Sequence, residues 1–148
     1  MSMPPSQIPS PESRIDLENL QLLVVEDEPA VRATIVETLQ SRGAKVVAVD
    51  SIRDGLAAIE LQRPDVIISD LHLPDGNGYA LMETAQLLLN PEGLQPLPAI
   101  AVSACPQTVN LEAIAAVGFK RYLAKPIRPE RLLAIVGWLT GRVSNNRY

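Results

Sequence analysis

Cysteine, histidine, phenylalanine and tryptophan each occur once in 148 residues, and aromatic residues together make up 3% of the chain. The lone Cys105 excludes an intrachain disulfide framework and a cysteine-rich zinc site. The lone His72 has no His or Cys close by in the sequence, so a loop histidine is expected rather than a side-chain metal ligand. Positive charge is in deficit, 13 Lys and Arg against 17 Asp and Glu for a net charge of −4, which excludes a generally basic surface that coats nucleic acid. Long apolar runs are missing too. The longest uncharged stretch, residues 93–111, carries Pro96, Pro98 and Pro106 and cannot be a spanning helix. The opening residues have no cationic segment leading into an apolar one, so no secretory signal is expected. There is no GxxxxGK phosphate loop, and Gly76 and Gly78 are followed by Leu81 where a dinucleotide fingerprint needs glycine. What remains is a mildly acidic chain, expected to be cytoplasmic and long enough for one core.

The first thirteen residues hold four prolines and four serines and cannot offset their ordering entropy. Residues 1–18 are therefore expected to form a disordered tail or linker, residues 19–142 the folded domain, and residues 143–148 a frayed end. Within the domain, short apolar runs at 20–25, 46–49, 66–68, 99–102 and 122–124 alternate with amphipathic segments. Val31, Ile35 and Leu39 recur at helical spacing after Pro29, which suits a first turn, and Gly43 ends that helix. Ser51 is a suitable N-cap for a second helix with Ile52, Leu56 and Ile59. Further helices are expected over 78–89, over 107–117, and from Pro129 with Leu132, Leu133, Val136 and Leu139. Trp138 is read as packing. Five such units predict an α/β architecture: a doubly wound five-stranded parallel sheet with helices on both faces and strands buried on both sides. Strand order stays open on this ground alone.

Ligands in open parallel sheets bind beyond the carboxyl ends of the strands. Glu26-Asp27 follows the first apolar run, Asp70 the third, Ser103 the fourth and Lys125 the fifth, so these side chains are expected on one rim. Crowded carboxylates raise one another's pKa unless a cation is present, and a hard divalent ion such as Mg²⁺ suits an all-oxygen donor set. Asp70 could then act as a nucleophile toward phosphorus, with Lys125 and Ser103 neutralising and binding phosphoryl oxygens. An isolated Asp70 could instead cap a turn, and Ser103 could be a buried hydroxyl bonded to backbone.

The runs LLVVEDEP, DVIISDLHLPDGNG, AVSA and YLAKPI, in that order, resemble the receiver domain of two-component response regulators. The resemblance covers about residues 20–141. It implies a flavodoxin-like strand order of 2-1-3-4-5, with Asp70 accepting a phosphoryl group from a histidine kinase or histidine phosphotransfer protein. It further implies direct Mg²⁺ ligation by Asp27, Asp70 and the backbone carbonyl of His72, with Glu26 acting through water. Ser103 and Tyr122 stand at the family's switch positions, and the bond before Pro126 is expected to be cis. Glu26 replaces the more usual aspartate, and His72 and Cys105 occupy variable positions where the family tunes phosphoryl lifetime.

Such a domain catalyses only its own phosphorylation and dephosphorylation and signals through a changed surface. A downstream protein partner of unknown identity is expected, with no direct nucleic-acid or membrane contact. Two other readings compete. One is a haloacid-dehalogenase-like phosphohydrolase, although its general acid would fall at position 72, here His72. The other is a phosphorylation-independent pseudo-receiver, which retention of Glu26, Asp27, Asp70, Ser103 and Lys125 argues against.

Overall fold

A computed structural model of the chain describes residues 15–104 and 109–142. Its elements run β1 (Gln21–Val25), α1 (Pro29–Gln40), β2 (Lys45–Val49), α2 (Ile52–Leu61), β3 (Val66–Asp70), β4 (His72–Leu73), β5 (Gly76–Asn77), α3 (Gly78–Leu89), β6 (Ala99–Ser103), α4 (Leu111–Ala116), β7 (Arg121–Ala124) and α5 (Pro129–Leu139). The main sheet is wholly parallel and ordered β2-β1-β3-β6-β7. Counting its five strands alone, this is the 2-1-3-4-5 order of the flavodoxin-like fold.

Because successive strand side chains alternate across the sheet, each strand serves two cores. Leu22 and Val24 of β1, with Val66, Ile68, Ile100 and Val102, pack under α1 and α5, which contribute Ile35, Leu39, Leu132 and Val136. Leu23, Val25 and Ile67 face the other way, beneath Ile59 of α2, Leu81 and Met82 of α3 and Ile114 of α4. β6 offers Ala99 and Ala101 on that second face, where the bulk comes from the helices. Burial on both sides holds for β3 and β6 but not for β2, whose edge position leaves Val47 half exposed.

Two boundaries differ from expectation. Residues 15–18 belong to the fold, not to a tail: Ile15 and Leu17 are buried in the α1–α5 core. Leu17 N–H donates to the Arg42 carbonyl, and the Arg142 guanidinium donates to the carbonyls of Asp16 and Glu18. The polar, proline-rich composition upstream concealed these two apolar anchors. The fourth helix starts at Leu111 rather than at 107, because the Asn110 side chain accepts the Ala113 N–H and caps it there. Residues 105–108, including Cys105, and the expected frayed end at 143–148 lie outside the described residues, as does most of the expected N-terminal tail. The short antiparallel pair β4–β5 went unforeseen, since two-residue strands carry no periodic signal.

Candidate functional site

Parallel register brings the strand ends together. Val25 pairs with Ser69, Asp70 with Val102, and Ser103 with Ala124, so the residues at or just beyond these positions share one rim. Glu26 is fixed at the backbone, its N–H donating to the Val49 carbonyl and its own carbonyl accepting from Arg32 Nη1 at 2.9 Å. Lys125 is placed by its N–H to the Ser103 carbonyl at 2.9 Å, and the Lys125–Pro126 bond that follows is cis. On the far side of Asp70, Gly78 opens α3 hard against the end of β3. A Cβ there would stand 2.5 Å from the Asp70 carbonyl oxygen, so glycine is required for this approach.

The charged groups meet around the ammonium of Lys125. Its Nζ lies 2.8 Å from Asp70 Oδ2, 2.9 Å from Glu26 Oε1 and 2.8 Å from Glu28 Oε1. The contact with Asp70 and that with Glu28 are aligned hydrogen bonds; Glu26 Oε1 accepts no aligned donor and is held by charge alone. Glu26 Oε2 accepts the Glu28 N–H, and Asp70 Oδ1 accepts the His72 N–H at 3.0 Å. Glu26, Asp70 and Ser103 are buried, whereas Asp27 and the His72 side chain face solvent. Tyr122 is half-buried in β7, where it pairs with Ala101 and packs against the α2–α4 core. Glu28 was missed by sequence reasoning. Its signal was available, since it continues the acidic run Glu26-Asp27 by one residue, but its place as the residue just before α1 makes it look like an ordinary dipole charge.

Burial raises the Glu26 carboxyl from 4.5 to about 7; Lys125 and the Glu28 N–H pull it down, and the charge of Asp70 pushes it up. For Lys125, burial works against the ammonium, but its close contacts with the carboxylates of Asp70, Glu26 and Glu28 outweigh it and raise its pKa above the ordinary lysine value. A carboxyl whose folded pKa is raised binds its proton more tightly in the native state than in the unfolded chain. Its stabilising contribution is therefore complete below about pH 4.5 and lost as pH rises toward about 7. Metal-free protein is expected to lose stability across this window, read from urea midpoints, and Glu26→Gln should flatten the slope. An unchanged slope in the variant would show that Glu26 is not the group responsible.

Carboxylate oxygens of Glu26, Asp27 and Asp70 lie within 4.8 Å of one another, the one such cluster found among the described residues. Three hard oxygen donors on one rim, one of them the undirected buried Glu26 Oε1, fit an oxygen-seeking divalent ion. The doubly wound sheet with an acidic, lysine-bearing rim at its strand ends defines a class of α/β domain built to meet a charged ligand there.

Similarity to known proteins narrows the class. The family model described as the response regulator receiver domain matches residues 22–137. The chain is 32% identical over 120 residues to an uncharacterised 14.6 kDa protein of Leptolyngbya boryana, covering 81% of this chain and 89% of that one. It is 30% identical to the sensor histidine kinase GacS of Pseudomonas protegens over 93% of its own length, and spans 15% of that kinase. Among solved structures, the receiver domain of the sensor histidine kinase PA1611 from Pseudomonas aeruginosa superposes with TM-score 0.73 at 30% identity, covering 82% of this chain and 98% of that one. That receiver has a magnesium ion coordinated in its active-site cleft. A putative response regulator from Chloroflexus aurantiacus gives TM-score 0.72 at 28% identity, covering 83% and 98%. The chain belongs to the response regulator receiver domain family. This membership does not favour the phosphohydrolase reading or the pseudo-receiver reading. No helix among the described residues is long and apolar enough to cross a membrane.

Proposed function

We propose that this chain is a cytoplasmic phosphoacceptor switch, taking a phosphoryl group from a histidine kinase or histidine phosphotransfer protein onto Asp70 in the presence of Mg²⁺. The observation that carries the reading is the meeting of Lys125 with Asp70, Glu26 and Glu28 beside the exposed Asp27. In the transfer, an Asp70 carboxylate oxygen forms a bond to phosphorus as the bond from phosphorus to the donor imidazole nitrogen breaks, and the imidazole leaves. Asp27, Asp70 and the His72 carbonyl would hold Mg²⁺ directly, with Glu26 reaching it through water. When bound, the ion neutralises charge on the phosphoryl oxygens. Lys125 presents a point charge to a second oxygen, and the Ser103 hydroxyl can donate to a third. The chain thus catalyses only reactions of its own side chain. Its output is a changed surface for a downstream protein.

Chain incubated with Mg²⁺ and acetyl phosphate should gain the mass of one phosphoryl group, and EDTA should prevent the gain. Equal modification in EDTA would defeat the metal-dependent reading. Asp27→Ala removes a charged oxygen ligand without touching Lys125 and should weaken Mg²⁺ binding at least about tenfold by calorimetry. Undiminished affinity would remove Asp27 from the ligand set.

The switch itself is assigned to Ser103 and Tyr122. A phosphoryl group adds negative charge and acceptor oxygens near the Ser103 hydroxyl, and movement there changes the space available to the half-buried Tyr122 ring. Ser103→Val should still accept phosphate, more slowly, but respond less at β7. Amide shifts around Tyr122 with and without beryllofluoride measure this, and identical responses in variant and parent would refute the coupling.

A further inference from the structure

The opening N–H groups of a helix have no carbonyl partner within it and must be satisfied from outside. In α2 the Asp54 N–H goes to the hydroxyl oxygen of Ser51, the local cap, at 3.1 Å. The two before it do not use a neighbour. Ile52 N–H donates to Asp75 Oδ1 at 2.9 Å and Arg53 N–H to Asp75 Oδ2 at 3.1 Å. One carboxylate more than twenty residues downstream thus grips the helix start with both oxygens.

Asp75 is the second of the two residues that join β4 to β5, at the tip of the hairpin that follows Asp70. At the base of the same hairpin, the His72 N–H donates to Asp70 Oδ1. Behind the tip, Gly76 lies so close to Ile52 that an added Cβ would stand 2.8 Å from its Cδ1. Two-residue strands are too short to hold a hairpin rigid by themselves. The ladder offers little, and the tip is anchored by the fork onto α2. Those two N–H groups also hold the exposed Asp75 carboxyl below the usual aspartate range, because both bonds favour its charged form.

We propose that Asp75 is a positioning residue of the acceptor site: its carboxylate ties the post-Asp70 hairpin to the start of α2 and so keeps the His72 N–H aligned on Asp70 and the His72 carbonyl placed for the metal. The inference rests on the phosphoacceptor reading above and extends it to a residue that touches neither the acceptor nor the metal ligands. Partners that orient the ligands of a metal commonly matter about ten- to a hundredfold for affinity. A residue serving helix stability alone would not affect Mg²⁺ binding.

The test compares Asp75→Ala with Ser51→Ala in the full chain. Both remove a side-chain cap from α2, but only the first releases the hairpin. Asp75→Ala is expected to weaken Mg²⁺ binding roughly tenfold by calorimetry and to speed hydrogen exchange at the His72 amide. It should slow phosphorylation by acetyl phosphate in parallel. Ser51→Ala should lower the urea midpoint and leave Mg²⁺ affinity and His72 exchange as in the parent. Asp75→Asn should recover part of the loss, since its amide oxygen can still accept one of the two bonds. Parental affinity and exchange in Asp75→Ala, or an equal loss in Ser51→Ala, would overturn the role of Asp75 while leaving the phosphoacceptor reading intact. A parent chain that takes no phosphoryl group would overturn that reading and this role with it.

Discussion

Asp70→Asn is expected to take no phosphoryl group from acetyl phosphate in the presence of Mg²⁺, with no gain in intact mass under conditions that modify the parent fully. The amide has nearly the volume of the carboxylate, so packing at the end of β3 is preserved, and its oxygen can still accept the His72 N–H. What disappears is the anionic oxygen that attacks phosphorus and one charged partner of Lys125. Stability should change little. The variant loses an ion pair, yet it also loses the repulsion that helps to push the Glu26 carboxyl upward. Circular dichroism and urea unfolding should therefore place it within about 1 kcal/mol of the parent. Undiminished phosphorylation of the variant would move the acceptor elsewhere and end the assignment.

Lys125→Met carries the second large effect, and here stability and chemistry should fall together. Methionine keeps an unbranched stem but leaves Glu26 and Asp70, both buried, without their cation. Breaking a buried pair by removing one partner costs about 3–5 kcal/mol. The low end applies here, because Glu28 is 56% exposed and its share is screened by water. The cost should be largest well above pH 7 and shrink toward pH 5, where Glu26 can take up a proton; urea midpoints at the two pH values measure this. Phosphorylation by acetyl phosphate should slow by about a hundredfold or more, the usual consequence of losing one fixed charge aimed at developing negative charge. A variant as stable as the parent at every pH, or one phosphorylated at the parental rate, would show that the close contacts of Lys125 are incidental.

Much of this could be read from the residues alone. Apolar β-branched runs alternating with segments of helical spacing allow few architectures, since a strand buried on both faces needs helices on both faces. Glu26, Asp27, Asp70, Ser103 and Lys125 stood out for the same reason: each follows an apolar run, and parallel strands end on one rim. Strand order came from the likeness of four motifs to a family, because an alternating pattern by itself does not say which strand lies at the centre.

Other features depended on distance through space. Ile15 and Leu17 were hidden behind a proline- and serine-rich leader; they are buried by packing in the α1–α5 core, and backbone bonds to Arg42 and Arg142, remote in the chain, hold their segment there. The half-exposure of Val47 follows from the edge position of β2, which an apolar run does not encode. Glu28 reads as a helix-start charge until the folded sheet delivers Lys125 to it from 97 residues away. Asp75 sits in a turn-forming Pro-Asp-Gly run, and its grip on α2 exists only once helix and hairpin are packed together. Patterns of apolarity and turn chemistry are local, so the chain displays its elements and the residues at their ends. Partners of a charge are set by packing between distant segments, and in this protein tertiary structure alone decided which carboxylates share one lysine and which one caps a helix not its own.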